Sequence, residues 1–239
     1  MNNETIGNTN TSVITRFKDL DIKNHMVIHK PFLNPNNNVF NTQILYDNHT
    51  MILETPYLKA PFGLTSYQKG PKLGHSITLM SSGTYTDSQE VITKFFNELK
   101  KIDEIMITFG EKYSTLLFGK TMSREEIIQI YDTGVRGKLD AKGVPYPDKI
   151  SPKVLHQEND ESTPKIVLFK NSKIPLEINS WNDLENIIEK GRSLRGIIQP
   201  KVYFLKDRFG ITYEYHQIKL PSIVTTNDIK LGNYSFSDE

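Results

Sequence analysis

The sequence predicts an α+β, mostly-β fold, and three observations predict it. Residues 191–220, GRSLRGIIQPKVYFLKDRFGITYEYHQIKL, read as two long antiparallel strands around the polar turn Lys206-Asp207-Arg208. Helical periodicity is confined to a middle stretch and one short run before that hairpin, so strands, helices and strands follow one another. The helices do not alternate regularly with strands, which argues against a parallel nucleotide-binding sheet.

Composition bounds the rest. A chain of 239 residues with 37% hydrophobic and 24% charged residues has the make-up of a soluble globular protein with a sizeable core. No run approaches the roughly 18 apolar residues of a membrane span. The opening MNNETIGNTNTS lacks the charged and apolar regions of a signal peptide, so the expectation is a protein that stays inside the cell and off the membrane. With no cysteine, disulfides, thiolate zinc sites and cysteine nucleophiles are all excluded. The net charge of +1 rules out a polycation. The basic residues are nevertheless segregated: Lys59, Lys69 and Lys72 stand in 55–86 without an acid, and Arg136, Lys138, Lys142, Lys149 and Lys153 stand in 134–153 against Asp140 and Asp148. Such segregation suits a phosphate-binding groove, and equally a scatter of surface lysines.

The elements follow in order. Residues 1–12 are polar and are expected to be disordered. The domain runs over 13–224, with a helical insertion at about 87–131 and a polar, weakly acidic tail over 225–239. Asn34-Pro35-Asn36-Asn37-Asn38 is a turn, and Val39–Tyr46 and Thr50–Thr55 read as two strands joined across Asp47-Asn48. The proline- and glycine-rich stretch 54–74 reads as a structured loop or irregular edge strand. His75–Met80 returns to a strand with Ile77 and Leu79 on one side. Asp87 and Glu90 form a capping-box pattern. Val91, Phe95, Leu99, Ile102 and Met106 then repeat at helical spacing, with an apolar face broad enough to pack on a sheet. Ser123 and Glu126 repeat the capping box for a helix ending near Tyr131, and 140–152 is loop. Val154–Gln157 and Lys165–Lys170 are strands around an acidic turn, Ile174–Ile178 is a third, and Ser180 caps a helix from Trp181 to Lys190 that Gly191 stops.

In the closing hairpin, strict alternation puts Ile198, Val202 and Phe204 on one face and Gln199, Lys201 and Tyr203 on the other. It likewise separates Phe209, Ile211, Tyr213, Tyr215 and Gln217 from Thr212, Glu214, His216 and Ile218. Rings and positive charge on one sheet surface suit single-stranded nucleic acid, because cations follow the phosphates while rings stack on unpaired bases. A tyrosine-rich strand is equally a well-packed strand.

Signatures of chemistry are weak. Phe118-Gly119-Lys120-Thr121 ends as a phosphate loop does, but Ser114 stands where the earlier glycine belongs. No G-x-S-x-G occurs. His25 and His29 have ligand spacing only on a helix, and no glutamate follows His25 as a metalloprotease requires. The paired acids Asp103/Glu104, Glu125/Glu126 and Asp183/Glu185 fall on helices whose outer faces need charge anyway. No catalytic residue, metal site or cofactor is expected.

Three stretches together carry a resemblance: the Pro61-Phe62-Gly63 loop before the strand around Ile77 and Leu79, the helix with Leu99-Lys100-Lys101-Ile102-Asp103, and the hairpin Gly196-Ile197-Ile198-Gln199-Pro200 with Phe209-Gly210-Ile211-Thr212-Tyr213. Over about 40–220 their order resembles the single-stranded-DNA-binding proteins of large cytoplasmic DNA viruses, a family similar in fold to the phage T7 helix-destabilising protein. The resemblance implies an OB-type barrel with inserted helices. It further implies non-catalytic, sequence-independent binding of single strands in viral DNA replication, recombination or repair, in the host cytoplasm or the virion. Tyr57–Lys72 and the hairpin from Arg195 would touch the strand. Lys59, Lys69, Lys72, Arg192, Arg195, Lys201 and Arg208 are then the phosphate candidates, and Tyr57, Phe62, Tyr67, Tyr203 and Tyr213 the stacking candidates. Single-stranded DNA is the expected partner, with replication proteins and a homo-oligomer left open. The short acidic end, Asp238 and Glu239 beside Phe236, favours DNA binding over recruitment through the tail. The competing reading is a non-enzymatic structural or scaffold protein that holds a protein partner through the aromatic loop.

Overall fold

In the computed structural model, residues 13–82, 87–137, 139, 141–170 and 174–221 are described. The expected disordered N-terminus and the acidic tail lie outside them. The fold is mixed α+β with strands predominating and one long helix.

The N-terminal part contains β1 (Ile14–Thr15), a 3-10 turn (Phe17–Asp19), α1 (Ile22–His25), β2 (Met26–Ile28), β3 (Phe32–Asn34), β4 (Val39–Asn41), β5 (Ile44–Tyr46), β6 (His49–Thr50) and β7 (Ile52–Glu54). The two strands expected over 39–55 are thus four. Val39–Tyr46 serves two partners, since β4 pairs with β3 while β5 pairs with β2, so the chain breaks between them. The turn at Asp47-Asn48 is as expected: both residues have positive φ, 49° and 64°, the conformation of a two-residue hairpin turn.

Next come β8 (Leu58–Ala60), β9 (Leu64–Lys69), β10 (Lys72–Ile77) and β11 (Leu79–Met80). The stretch expected to be irregular holds a regular hairpin, β9–β10, because Pro61 and Pro71 both fall in turns and take no donor from a ladder.

Helix α2 (Gln89–Phe118) is 30 residues long, or about 45 Å at the usual rise. Its cap is Ser88, whose hydroxyl accepts from Val91 N–H, and not Asp87. The helix outlasts the expected apolar repeat by three turns because Phe109, Tyr113, Leu117 and Phe118 continue it, and Gly119 ends it at φ 74°. Helix α3 (Arg124–Ile130) has the predicted capping box: Ser123 Oγ accepts from Glu126 N–H, and Ser123 N–H donates to Glu126 Oε2 at 2.8 Å. β12 (Tyr131–Asp132), β13 (Lys149–Ile150), β14 (Lys153–Gln157), β15 (Asp160–Lys165), β16 (Val167–Lys170), β17 (Pro175–Leu176), α4 (Trp181–Ile187), β18 (Arg192–Phe204) and β19 (Phe209–Leu220) follow. Helix α4 has the expected Ser180 cap.

The long hairpin β18–β19 organises the sheet. β18 pairs with β8, β7 and β19, and β19 with β12, β14 and β16. β10–β14 and β11–β13 keep a single register across Ile77, whose N–H donates to Pro152 O, so the two pairs form one ladder. The strict alternation read for β19 fails at one point. The β18–β19 register shifts between Ile197 and Ile198, and His216 is the extra residue of that bulge. Beyond it the faces exchange, so Ile218 is buried and Gln217 half-exposed.

The core lies between this sheet and α2. Ile92, Phe95, Phe96, Leu99, Ile102 and Met106 are fully covered, as are Phe209, Ile211 and Tyr213 opposite. The closest approach is at Gly110, where a Cβ would stand 2.4 Å from Phe209 Cζ. Replacing Gly110 by alanine would improve helix propensity by up to about 1 kcal/mol, but the clash with a ring held on both sides outweighs that. We expect Gly110→Ala to destabilise the fold by about 1–3 kcal/mol net, read as a lower urea midpoint. An unchanged or higher midpoint would mean that α2 and β19 are not packed this closely.

Candidate nucleic-acid interface

Three segments converge on a cleft of about 300 Å³ lined by Phe62, Met80, Arg136, Tyr146, Pro147 and Lys149, at the lower end of ligand-pocket sizes. Phe62 is 50% exposed and Tyr146 59%. Lys59 stands beside the cleft, opposite Met80 in the ladder. Among the described residues no carboxylate pairs with Lys59, Arg136 or Lys149. The cleft therefore offers two open rings and three cations without an ion pair among the described residues.

Each ring and cation is fixed by local chemistry. The Pro61-Phe62-Gly63 turn closes with Gly63 N–H donating to Ala60 O. Gly63 has φ 64°, and a Cβ there would lie 2.5 Å from the carbonyl oxygen of Ile188 at the end of α4. Only glycine fits, and the turn is pressed against the helix end with Phe62 turned outward. Arg136 and Lys149 exchange both backbone hydrogen bonds, at 2.8 and 3.0 Å. The chain reaches Arg136 through a segment tied to α2 by Asp103. That buried carboxylate accepts from Tyr131 Oη at 2.6 Å, Gly134 N–H at 2.7 Å and Val135 N–H at 3.2 Å. Burial, outweighing these hydrogen bonds, raises the Asp103 carboxyl above the ordinary range.

From the cleft the positive surface continues to the hairpin. Tyr203 is half-buried and donates to Asp132 Oδ2 at 2.6 Å. Burial first, then that carboxylate, pushes its phenol up, while Arg136 and Arg208 oppose the shift. Lys201, two residues along the same face, lines a second cleft of about 420 Å³ with Gln199, Glu214, His216 and Lys165. His216 Nε2 and Gln199 Oε1 are 3.0 Å apart. Burial and the nearby Lys201 hold the His216 imidazole below its usual value.

Several predicted residues are committed elsewhere. Tyr213 is 1% exposed within the core, so it is withdrawn as a stacking candidate. Arg195 is ion-paired with Glu54 and Asp87, each at 3.3 Å, and lies between the rings of Phe17 and Tyr57. It is a structural arginine, and Tyr57 is covered by it, so neither is open to a strand. Asp87, read as a helix cap, accepts from Tyr57 N–H in this cluster. Arg192 donates to Ile187 O at the end of α4. Lys72 is ion-paired with Glu161. Tyr67 lies across Gly74, opposite it in the hairpin, where a Cβ would stand 2.5 Å from the ring. The side chain of Lys69 lies outside the described residues. Lys59, Phe62, Lys201, Tyr203 and Arg208 remain on the surface, Arg208 ion-paired with Asp207 at 3.6 Å. Tyr146 and Met80 were not anticipated. Tyr146 sits in Gly143-Val144-Pro145-Tyr146-Pro147, a proline-flanked ring in the second basic stretch, the same composition that singled out Phe62. Among the described residues no group of three or more metal-ligating side chains occurs, and no helix is long and apolar enough to cross a membrane.

No family model matches the chain, and no curated protein matches it. Among solved structures, the single-stranded DNA-binding protein of bacteriophage Enc34 in complex with ssDNA is similar at 15% identity and a TM-score of 0.41, over 82% of this chain and 95% of that one. The crystal structure of gp2.5, a single-stranded DNA-binding protein encoded by bacteriophage T7, is similar at 11% identity and a TM-score of 0.44, over 77% of this chain and 98% of that one. At these values the likeness assigns no activity to this chain.

The Asp103 anchor has a measurable signature. Because its folded pKa is raised, the stability it contributes is complete below the unfolded value of 3.8 and is lost as pH rises through the folded value. Asp103→Asn cannot ionise, and its amide would oppose a backbone N–H. Urea titrations should therefore show the wild-type advantage over Asp103→Asn shrinking as pH rises from 3.8 and then levelling. A constant difference across that range would contradict a raised carboxyl.

Proposed function

We propose that this chain is a sequence-independent single-stranded DNA-binding protein acting in viral DNA replication, recombination or repair, within the infected cell or virion. Its fold is read as an OB-type barrel with inserted helices. The observation that carries the proposal is the cleft in which Phe62 and Tyr146, both open to solvent, stand among Lys59, Arg136 and Lys149, which have no carboxylate partner among the described residues. Stacking on exposed rings is indifferent to base identity but requires an unpaired base, which separates single strands from duplex. The cations supply the phosphate term and lead past Arg136 to Tyr203, Arg208 and Lys201, giving a strand a path out of the cleft. Lys69 belongs to the same proposal as a contact on the β9–β10 turn. The protein performs no reaction on the strand; its work is to hold it.

Binding of fluorescent oligo-dT at several salt concentrations tests this. Each stacked base is worth about 1–3 kcal/mol, so Phe62→Ala and Tyr146→Ala should each weaken binding about five-fold or more. Their far-UV CD should not change, because both rings are exposed. Removing Lys59, Arg136 and Lys149 together should flatten the slope of log K against log salt by about 2, at about 0.7 per phosphate. Wild type with no salt-sensitive affinity for oligo-dT, or ring variants that bind as wild type does, would refute the proposal.

A further inference from the structure

Helix α4 meets the sheet through a stack of three rings. His75 from β10 and Trp181, the first residue of α4, lie face to face, with 3.6 Å between ring centres and 10° between planes. His156 from β14 stands edge-on to both, at 6.1 Å from His75 and 5.6 Å from Trp181. The two histidines share a face because β10 and β14 run antiparallel with His75 opposite Val154, which makes His156 its diagonal neighbour. His75 is 5% exposed, and the buried Nδ1 of each imidazole has no hydrogen-bond partner among the described residues. The indole N–H, by contrast, donates to Glu161 O at 2.9 Å.

Such a stack accepts a neutral His75 and resists a charged one. An imidazolium carries two N–H donors, and a buried charged donor without an acceptor costs more than the attraction of an indole face for a cation returns. Burial first, then the neighbouring His156, holds the His75 imidazole below its usual value, while Glu185 on α4 opposes the shift. The other charged groups nearby are engaged or turned away. Glu161 on β15 is ion-paired with Lys72, Asp183 on α4 accepts from Asn179 N–H at 3.1 Å, and Lys72 and Lys153 stand on the opposite face of their strands.

The far end of α4 backs the ring cleft. The helix has seven residues, or about 10 Å at the usual rise, and the carbonyl oxygen of Ile188 just beyond it is the atom that a Cβ on Gly63 would strike. Arg192 Nη1 donates to Ile187 O at 3.0 Å and ties that end to β18. One short helix thus carries the stack at one end and the wall behind the Phe62 turn at the other.

We propose that the His75–Trp181 stack is a proton-sensitive latch: protonation of His75 opens it, releases the first turn of α4 and loosens the turn that presents Phe62. Opening gives both imidazole N–H groups water, so charging and release are one event. The stability contributed by neutral His75 is complete above the unfolded value of 6.5 and is lost as pH falls through the depressed folded one. The consequence for strand binding rests on the function proposed above, whereas the latch itself does not.

Trp181 is the one tryptophan of the chain, so the emission of DNA-free, full-length protein reports on the latch directly. As pH falls from about 8 to about 5, the emission maximum should move to the red and acrylamide quenching should rise several-fold, with a midpoint below 6.5. His75→Phe keeps the ring and cannot be charged, so its emission should stay level and its urea midpoint should gain on wild type as pH falls. His75→Leu is the second uncharged replacement should the larger ring not fit. Amide exchange over 60–64 should quicken in wild type relative to the uncharged variant at the same pH. The affinity of wild type for oligo-dT should fall against that of the variant by at most about ten-fold per pH unit, the limit for one proton. No emission transition in wild type, the same transition in the variant, unchanged exchange over 60–64, or a constant ratio of the two affinities would overturn the proposal. Oligo-dT that binds at no pH, with the emission and exchange changes intact, would instead remove the strand-binding reading and leave the latch standing.

Discussion

The structure depends on the contact between α2 and the β18–β19 hairpin, an apolar helix face about 45 Å long laid on two of the longest strands. Burying such a face yields roughly 25 cal/mol per Å² only if the surfaces meet without gaps, and glycines make that possible here. Gly110 admits Phe209, Gly134 admits Ile211 and Tyr213, and Gly210 lets Asp132 and the Tyr203 hydroxyl come close. A side chain at Gly110 would push α2 off the hairpin, and one at Gly134 or Gly210 would push the 132–134 segment off β19. The buried Asp103 belongs to the same contact. It sits in the apolar face of α2 at some cost in desolvation because three donors from 131–135 converge on it.

The ring cleft inherits its order from that contact and from α4. Arg136 is held because Asp103 holds Gly134 and Val135, and Lys149 is held because it is paired to Arg136. Phe62 is held because Gly63 is wedged against Ile188. None of these fixing contacts uses the exposed ring or the charged head. A stacking surface that is rigid before the ligand arrives loses less entropy on binding than one that must be ordered.

Much of the architecture was legible in the sequence. The long hairpin, the amphipathic helix, the Ser123–Glu126 box and the Ser180 cap are local patterns, and local physics decided them. The misreadings arose where a distant partner intervened. Val39–Tyr46 breaks because β2 and β3 both claim it. Asp87 gives up the helix cap to serve Tyr57 and Arg195, more than 100 residues away in the case of the arginine. The hairpin at 64–77 was hidden by prolines that lie in its turns. For the site, the two basic stretches at 55–86 and 134–153 were visible, and the cleft joins them. Sequence could not say that Tyr146 would face Phe62, because the meeting depends on the Arg136–Lys149 bridge rather than on either loop.

The sorting of the aromatic residues shows why composition alone overstates such a surface. Tyr57, Tyr203 and Tyr213 are aromatic residues with basic neighbours in sequence, as are Phe62 and Tyr146, which do face out. What separates them is a partner that no periodicity reveals. Tyr57 lies under the guanidinium of Arg195 at 4.5 Å, and Arg195 is itself neutralised by two carboxylates. Tyr203 spends its hydroxyl on Asp132 and retains only part of its ring for a ligand. Tyr213 keeps a buried hydroxyl with no partner among the described residues, a sign that packing against α2 outweighed hydrogen bonding at that position. An aromatic in a basic stretch is therefore as apt to be clamped by a distant arginine, as Tyr57 is by Arg195, as to be left open beside one. Carboxylates separate the two situations: Glu54 and Asp87 make Arg195 a clamp, whereas among the described residues none pairs with Arg136 or Lys149 beside the exposed Phe62 and Tyr146.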